Sequence, residues 1–166
     1  MEKNRGLIAI FEYALNQERT GCHFFEQSLI RLGNRGARSA FLKLIEEEKR
    51  HIEMIERILK GLREGPVMEK PLSQPLRLPK RSFFDSRAKE ALVKRVAERP
   101  DLVDAAIFNT AWLIEKDLIR FYGEAALQAE GEIRKALEML CRWEESHALF
   151  FEDFRNRLTS LFAKIY

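Results

Sequence analysis

Apolar residues recur along this chain at three- and four-residue intervals in four long stretches, the period of a helix with one buried face. The first stripe is Phe11, Leu15, Glu18, Cys22, Phe25 and Leu29; the second is Phe41, Leu44, Glu48, His51, Ile55 and Leu59. The third comprises Phe108, Ala111, Glu115, Leu118, Tyr122 and Ala125, and the fourth Ile133, Leu137, Leu140, Glu144, His147, Phe151 and Phe154. These patterns predict helices over about 4–32, 35–62, 101–130 and 132–163. Leu32-Gly-Asn-Arg-Gly36 and Gly131 supply the turns within two antiparallel hairpins.

Residues 65–81 carry four prolines, which prohibit a regular helix and favour an extended path. Asp85 or Ser86 is placed to cap a short helix over about 87–98, ended by Pro100. A connection this long, about 63–100, permits the second and third helices to run in parallel. The expectation is an all-α four-helix bundle with one long crossover carrying a short extra helix, forming a single domain over residues 1–166.

Each stripe is interrupted by one glutamate, and Glu48 and Glu144 are each followed three residues later by a histidine. A carboxylate on a buried face is costly unless it meets an opposite charge or a metal. The stripes contain no arginine or lysine, which disfavours buried salt bridges. Glu-x-x-His puts carboxylate and imidazole one turn apart on one face. The chain therefore repeats one device twice: a helix with an inward glutamate, then a helix with an inward Glu-x-x-His. Glu18, Glu48, His51, Glu115, Glu144 and His147 make up the ligand set of a carboxylate-bridged metal pair. Such oxygen and neutral nitrogen donors suit two iron ions, with manganese or a mixed pair as alternatives.

The motifs Glu18-Arg-Thr-Gly-Cys-His-Phe-Phe25, Glu48-Lys-Arg-His51, Ile114-Glu-Lys-Asp-Leu-Ile-Arg-Phe-Tyr122 and Trp143-Glu-Glu-Ser-His147 resemble the di-iron domain of rubrerythrins, within the ferritin-like superfamily. The resemblance implies that Glu48 and Glu144 are terminal or bridging carboxylates, Glu18 and Glu115 their counterparts, and His51 and His147 the nitrogen ligands. It also implies an oxidoreductase that reduces peroxide or dioxygen as a ferrous centre is oxidised, with iron storage by ferroxidase chemistry as an alternative. A non-enzymatic scaffold with a structural metal is the remaining class.

Three departures bear on this. Leu118 stands where rubrerythrins commonly carry a further glutamate associated with redox-dependent exchange against histidine. Phe25 stands where a tyrosine is common. The four-cysteine electron-transfer domain of full rubrerythrins is missing from this sequence, which implies a separate electron donor.

Tyr122 is placed to hydrogen-bond a ligating carboxylate, or to be an ordinary buried tyrosine. Cys22 and Cys141 are expected to be small core residues rather than a disulfide. His23 is expected to face solvent, Glu46, Glu47 and Glu145 to point away from the centre, and Trp112 and Trp143 to serve packing. The aromatics of the last stretch, Phe150-Phe-Glu-Asp-Phe-Arg-Asn-Arg-Leu-Thr-Ser-Leu-Phe-Ala-Lys-Ile-Tyr166, spread beyond one stripe, which favours burial against the crossover or a second subunit, hence a homodimer. A net charge of +3 spread over 29 basic and 26 acidic residues gives no basis for nucleic-acid binding. No apolar run is long enough to span a membrane, and the N-terminal charge pattern is not that of a signal peptide, leaving the cytoplasm as the expected location.

Overall fold

The computed structural model describes residues 4–66, 76, 78–80, 83 and 100–163. Four helices account for almost all of them: α1 (Arg5–Arg31), α2 (Arg35–Glu64), α3 (Pro100–Gln128) and α4 (Gly131–Ala163). The chain is an all-α four-helix bundle in which α1 packs on α2 and α3 on α4. Boundaries fall within about two residues of those predicted. Pro100 is the first residue of α3, where a proline loses no helical hydrogen bond and already has helical φ.

Side chains as well as backbone hold the helix ends. Asn34 caps α2 by accepting from the Ala37 N–H at 3.0 Å. Asn4, at φ 58°, offers α1 no side-chain cap and instead donates its amide to the Leu62 carbonyl at 2.9 Å, tying the start of α1 to the end of α2. Gly131, at φ 59°, makes the left-handed break between α3 and α4.

Buried Asp104, near the start of α3, accepts from the Gly33 and Asn34 N–H groups at 3.0 Å each and so clamps the α1–α2 turn. Removing that doubly used acceptor leaves two backbone donors without partners. Asp104→Ala is expected to lose roughly 1.5–3 kcal/mol of stability in chemical denaturation, with Asp104→Asn losing less.

This clamp sets the starts of α2 and α3 at one end of the bundle, while Leu62 and Ala129 share a cluster with Leu7 at the other. The two helices therefore run in the same direction. The connection between them lies mostly outside the described residues, and so does the short helix expected over 87–98. Of its described residues, Leu76, Leu78 and Phe83 pack against the Leu7 cluster, and the Phe83 N–H donates to buried Gln17 Oε1 at 3.0 Å.

The core consists of two apolar clusters. One gathers Leu7, Phe11, Ile55, Leu59, Leu118, Tyr122 and Leu137; the other gathers Phe25, Phe41, Leu44, Phe108, Ala111 and Phe151. The second is a nest of rings. Phe154 stacks on Phe108 with centroids 4.0 Å apart, and Phe151 contacts Phe25, Phe41 and Phe108. The aromatics of α4 at 150, 151 and 154 pack against Phe108 of α3, with Phe151 fully buried and Phe150 and Phe154 partly so.

Candidate metal centre

Between the two clusters lies the only charged layer of the core among the described residues. Glu18 comes from α1, Glu48 and His51 from α2, Glu115 from α3, and Glu144 and His147 from α4; all six are between 0% and 4% exposed. The inward positions of the four stripes meet here because the helices present them at one level.

Two groups of donor atoms can be drawn, each with every atom within 4.8 Å of the others. Glu18, Glu48, His51 and Glu144 form the first, and Glu48, Glu115, Glu144 and His147 the second. Glu48 and Glu144 belong to both. They occupy the shared position, while Glu18 with His51 and Glu115 with His147 close the two sides.

His51 Nδ1 lies 3.3 Å from Glu18, 3.5 Å from Glu48 and 3.0 Å from Glu144. His147 Nδ1 lies 3.1 Å from Glu48 and 3.3 Å from Glu144. Proximity is nevertheless not pairing. Glu48 Oε1, Glu115 Oε2, both oxygens of Glu144 and His147 Nδ1 are buried with no hydrogen bond of acceptable geometry. Orphaned polar atoms at this density are rare in native interiors unless something occupies the space they face. Oxygen and imidazole donors converging in this way fit two divalent cations.

The protonation pattern leads to the same balance. Burial pushes Glu18 and Glu115 well above the ordinary carboxylate range, reinforced by the charges of Glu144 and Glu48. Burial also opposes ionisation of Glu48 and Glu144, yet the two imidazoles hold both below the ordinary value. Against the same desolvation, contacts led by Glu144 raise His51 far above its usual value and His147 to about 12. With no cation among them, protons favoured on Glu18, Glu115 and the two imidazoles offset the charge of Glu48 and Glu144. Two divalent ions with four carboxylates and two neutral imidazoles sum to zero.

Around this layer Tyr122 is fully buried and donates its hydroxyl to Glu18 Oε1; burial, then the Glu18 charge, raises its pKa, so it remains a donor. Leu118, one turn after Glu115, is buried in the apolar cluster and adds no carboxylate. Phe25 packs with Phe41 and Phe151. Both cysteines are free, Cys22 buried and Cys141 partly so, and His23 is exposed. Trp112 packs at the far cluster under the Arg155 guanidinium, 4.3 Å from its ring.

One sequence expectation is corrected. Glu47 does not point away from the centre: its Oε2 accepts from His147 Nε2 at 2.9 Å. It lies off the α2 stripe, but a glutamate is long enough to reach sideways to a facing helix. Trp143 likewise does more than pack, lying flat on the His51 ring with centroids 4.6 Å apart and planes 10° apart. No signal within α2 or α4 alone could reveal either contact, because each joins one helix to the other.

A cavity of about 360 Å³, lined by Glu47, Arg50, His51, Trp143, Ser146 and His147, opens from the histidine side of the layer to the surface between α2 and α4. None of the helices among the described residues is long and apolar enough to cross a membrane.

No curated protein matches this chain. Among solved structures, YcfI from Rhodopseudomonas palustris, described provisionally as a structural protein, superposes with a TM-score of 0.70 over 88% of this chain and 90% of its own, at 20% identity. That likeness establishes the fold. The sequence model of the rubrerythrin family matches residues 9–155, a span that takes in all six residues of the charged layer. The chain belongs to the rubrerythrin family.

Proposed function

We propose that this chain is a di-iron redox protein that reduces hydrogen peroxide or dioxygen as a ferrous pair is oxidised. The observation that carries the reading is the convergence of donor atoms from four glutamates and two histidines, those of Glu48, Glu115, Glu144 and His147 including unpartnered ones, in a buried layer that opens to the surface. A bound ferrous pair supplies two electrons at once, enough to cleave the O–O bond of one peroxide with two protons and release two waters.

The chain's own residues hold the ions and govern access. Glu48 and Glu144 would be shared by the two ions, with Glu18 and His51 holding one and Glu115 and His147 the other. The apolar clusters above and below keep bulk water from the layer, leaving the opening between α2 and α4 as the route for a small polar oxidant. Tyr122 holds one oxygen of Glu18, which fixes the carboxylate and keeps a proton beside the site. Electrons for the next turnover come from a separate donor.

The test is anaerobic loading with ferrous iron followed by stepwise peroxide addition. Consumption of about one peroxide per two ferrous ions, with iron staying at two per chain, is expected from a two-electron centre. Retention of many irons per chain would instead indicate storage. A tightly held pair that leaves peroxide untouched would indicate a structural metal, the role closest to the description of YcfI.

A further inference from the structure

The two halves of the centre treat their histidines differently. The residue preceding Glu48 is Glu47, which reaches across to His147; the residue preceding Glu144 is Trp143, which reaches across to His51. The internal repeat therefore places one helper at equivalent positions in the two halves, each acting on the other half's imidazole. Their chemistries do not match. Glu47 lies 2.9 Å from His147 Nε2, and a carboxylate there selects the tautomer that presents Nδ1 to Glu48 and Glu144 and raises the donor strength of that nitrogen. Trp143 covers the face of His51 and holds its plane, but a ring face accepts no in-plane N–H.

The carboxylates differ in the same sense. Tyr122 occupies Oε1 of Glu18, leaving one oxygen free of that bond, whereas Glu115 Oε2 has no hydrogen-bond partner. Each difference makes the Glu115–His147 side the stronger donor set.

Resting on the metal-pair reading above, we infer that the two metal positions are unequal. The one closed by Glu115 and His147 fills first and holds its ion more tightly, with Glu47 as its positioning residue. The one closed by Glu18 and His51 is the weaker and more readily exchanged. Glu47 is suited to this role because it is itself half-exposed: it lies in the wall between the opening described above and a second cavity of about 450 Å³ lined by Gly36, Lys43 and Phe150, while His147 behind it is 5% exposed.

Anaerobic titration with cobalt(II), followed by visible absorption and calorimetry, tests the inference. The wild-type chain is expected to bind in two resolved steps. Glu115→Gln should abolish the tighter step and Glu18→Gln the weaker one. Glu47→Ala should weaken the tighter step by ~10–100-fold and leave the weaker one unchanged, with Glu47→Gln restoring part of the loss because an amide oxygen still accepts from Nε2. Melting curves recorded with no metal added report whether the variant folds; alanine at this half-exposed helical position should fold normally. Two equal steps in the wild type, or a Glu47→Ala effect that is absent or shared equally by both steps, would overturn the inequality while leaving the metal pair in place. Absence of any cobalt binding would overturn the metal pair itself.

Discussion

Neutralising either shared glutamate is expected to empty both metal positions. Glu48→Gln and Glu144→Gln preserve shape and one acceptor oxygen, but each removes a charge on which both donor groups depend. The remaining three carboxylates no longer balance two divalent ions. Loss of one member of a buried charge pair typically costs about 3–5 kcal/mol, which here corresponds to affinity weakened on the order of 10²–10⁴-fold for both ions. Glu18→Gln and Glu115→Gln each touch only one group, and the expected result is a chain that keeps one ion. Equilibrium dialysis against manganese(II), with metal content measured per chain, reads the difference as near zero against one. Equal losses in all four variants would contradict the shared position of Glu48 and Glu144.

Loading the pair is also expected to raise the melting temperature by a large margin. Each ion stabilises the folded chain by about 4 kcal/mol when free metal is roughly 1,000 times its dissociation constant. At about 2–4 °C per kcal/mol for a chain of this size, two ions raise the midpoint by roughly 16–32 °C. The sign of the pH dependence follows from the direction of each shift. His51, His147, Glu18 and Glu115 have folded values above their unfolded ones, so above neutrality the folded, metal-free chain binds more protons than the unfolded one. Stability from these groups is present at lower pH and is lost as pH rises. Glu48 and Glu144, whose values are lowered, contribute stability that is lost only on acidification through the carboxylate range. Without metal, the melting temperature should therefore fall between pH 7 and pH 9. With two ions bound the ligands carry no exchangeable protons in that window, and the curve should be flat. Loading itself should release protons, because the ligands hold metal as carboxylates and neutral imidazoles. A pH indicator in weak buffer measures this.

The bundle was legible because each helix carries a stripe at one period. The polar layer was legible because Glu18, Glu48, Glu115 and Glu144 break those stripes where an apolar residue belongs. A carboxylate in register with a buried face marks its own position, and four in register mark a shared level. Glu47 was missed for the converse reason. It sits one residue off the stripe on a half-exposed face, and its partner is on a helix a hundred residues away, so helical periodicity assigned it to solvent. Trp143 is similar, since adjacency to Glu144 says nothing about a ring stacked on α2. Asp104 clamps a turn between two other helices, a contact that depends on α3 starting beside that turn.

The most direct measurement of the central claim is anomalous X-ray diffraction at the iron edge from crystals of the chain loaded anaerobically with ferrous iron. Two peaks are expected, one bounded by Glu18, Glu48, His51 and Glu144 and the other by Glu48, Glu115, Glu144 and His147. No peak in the buried layer, with the six side chains instead paired to one another, would contradict it.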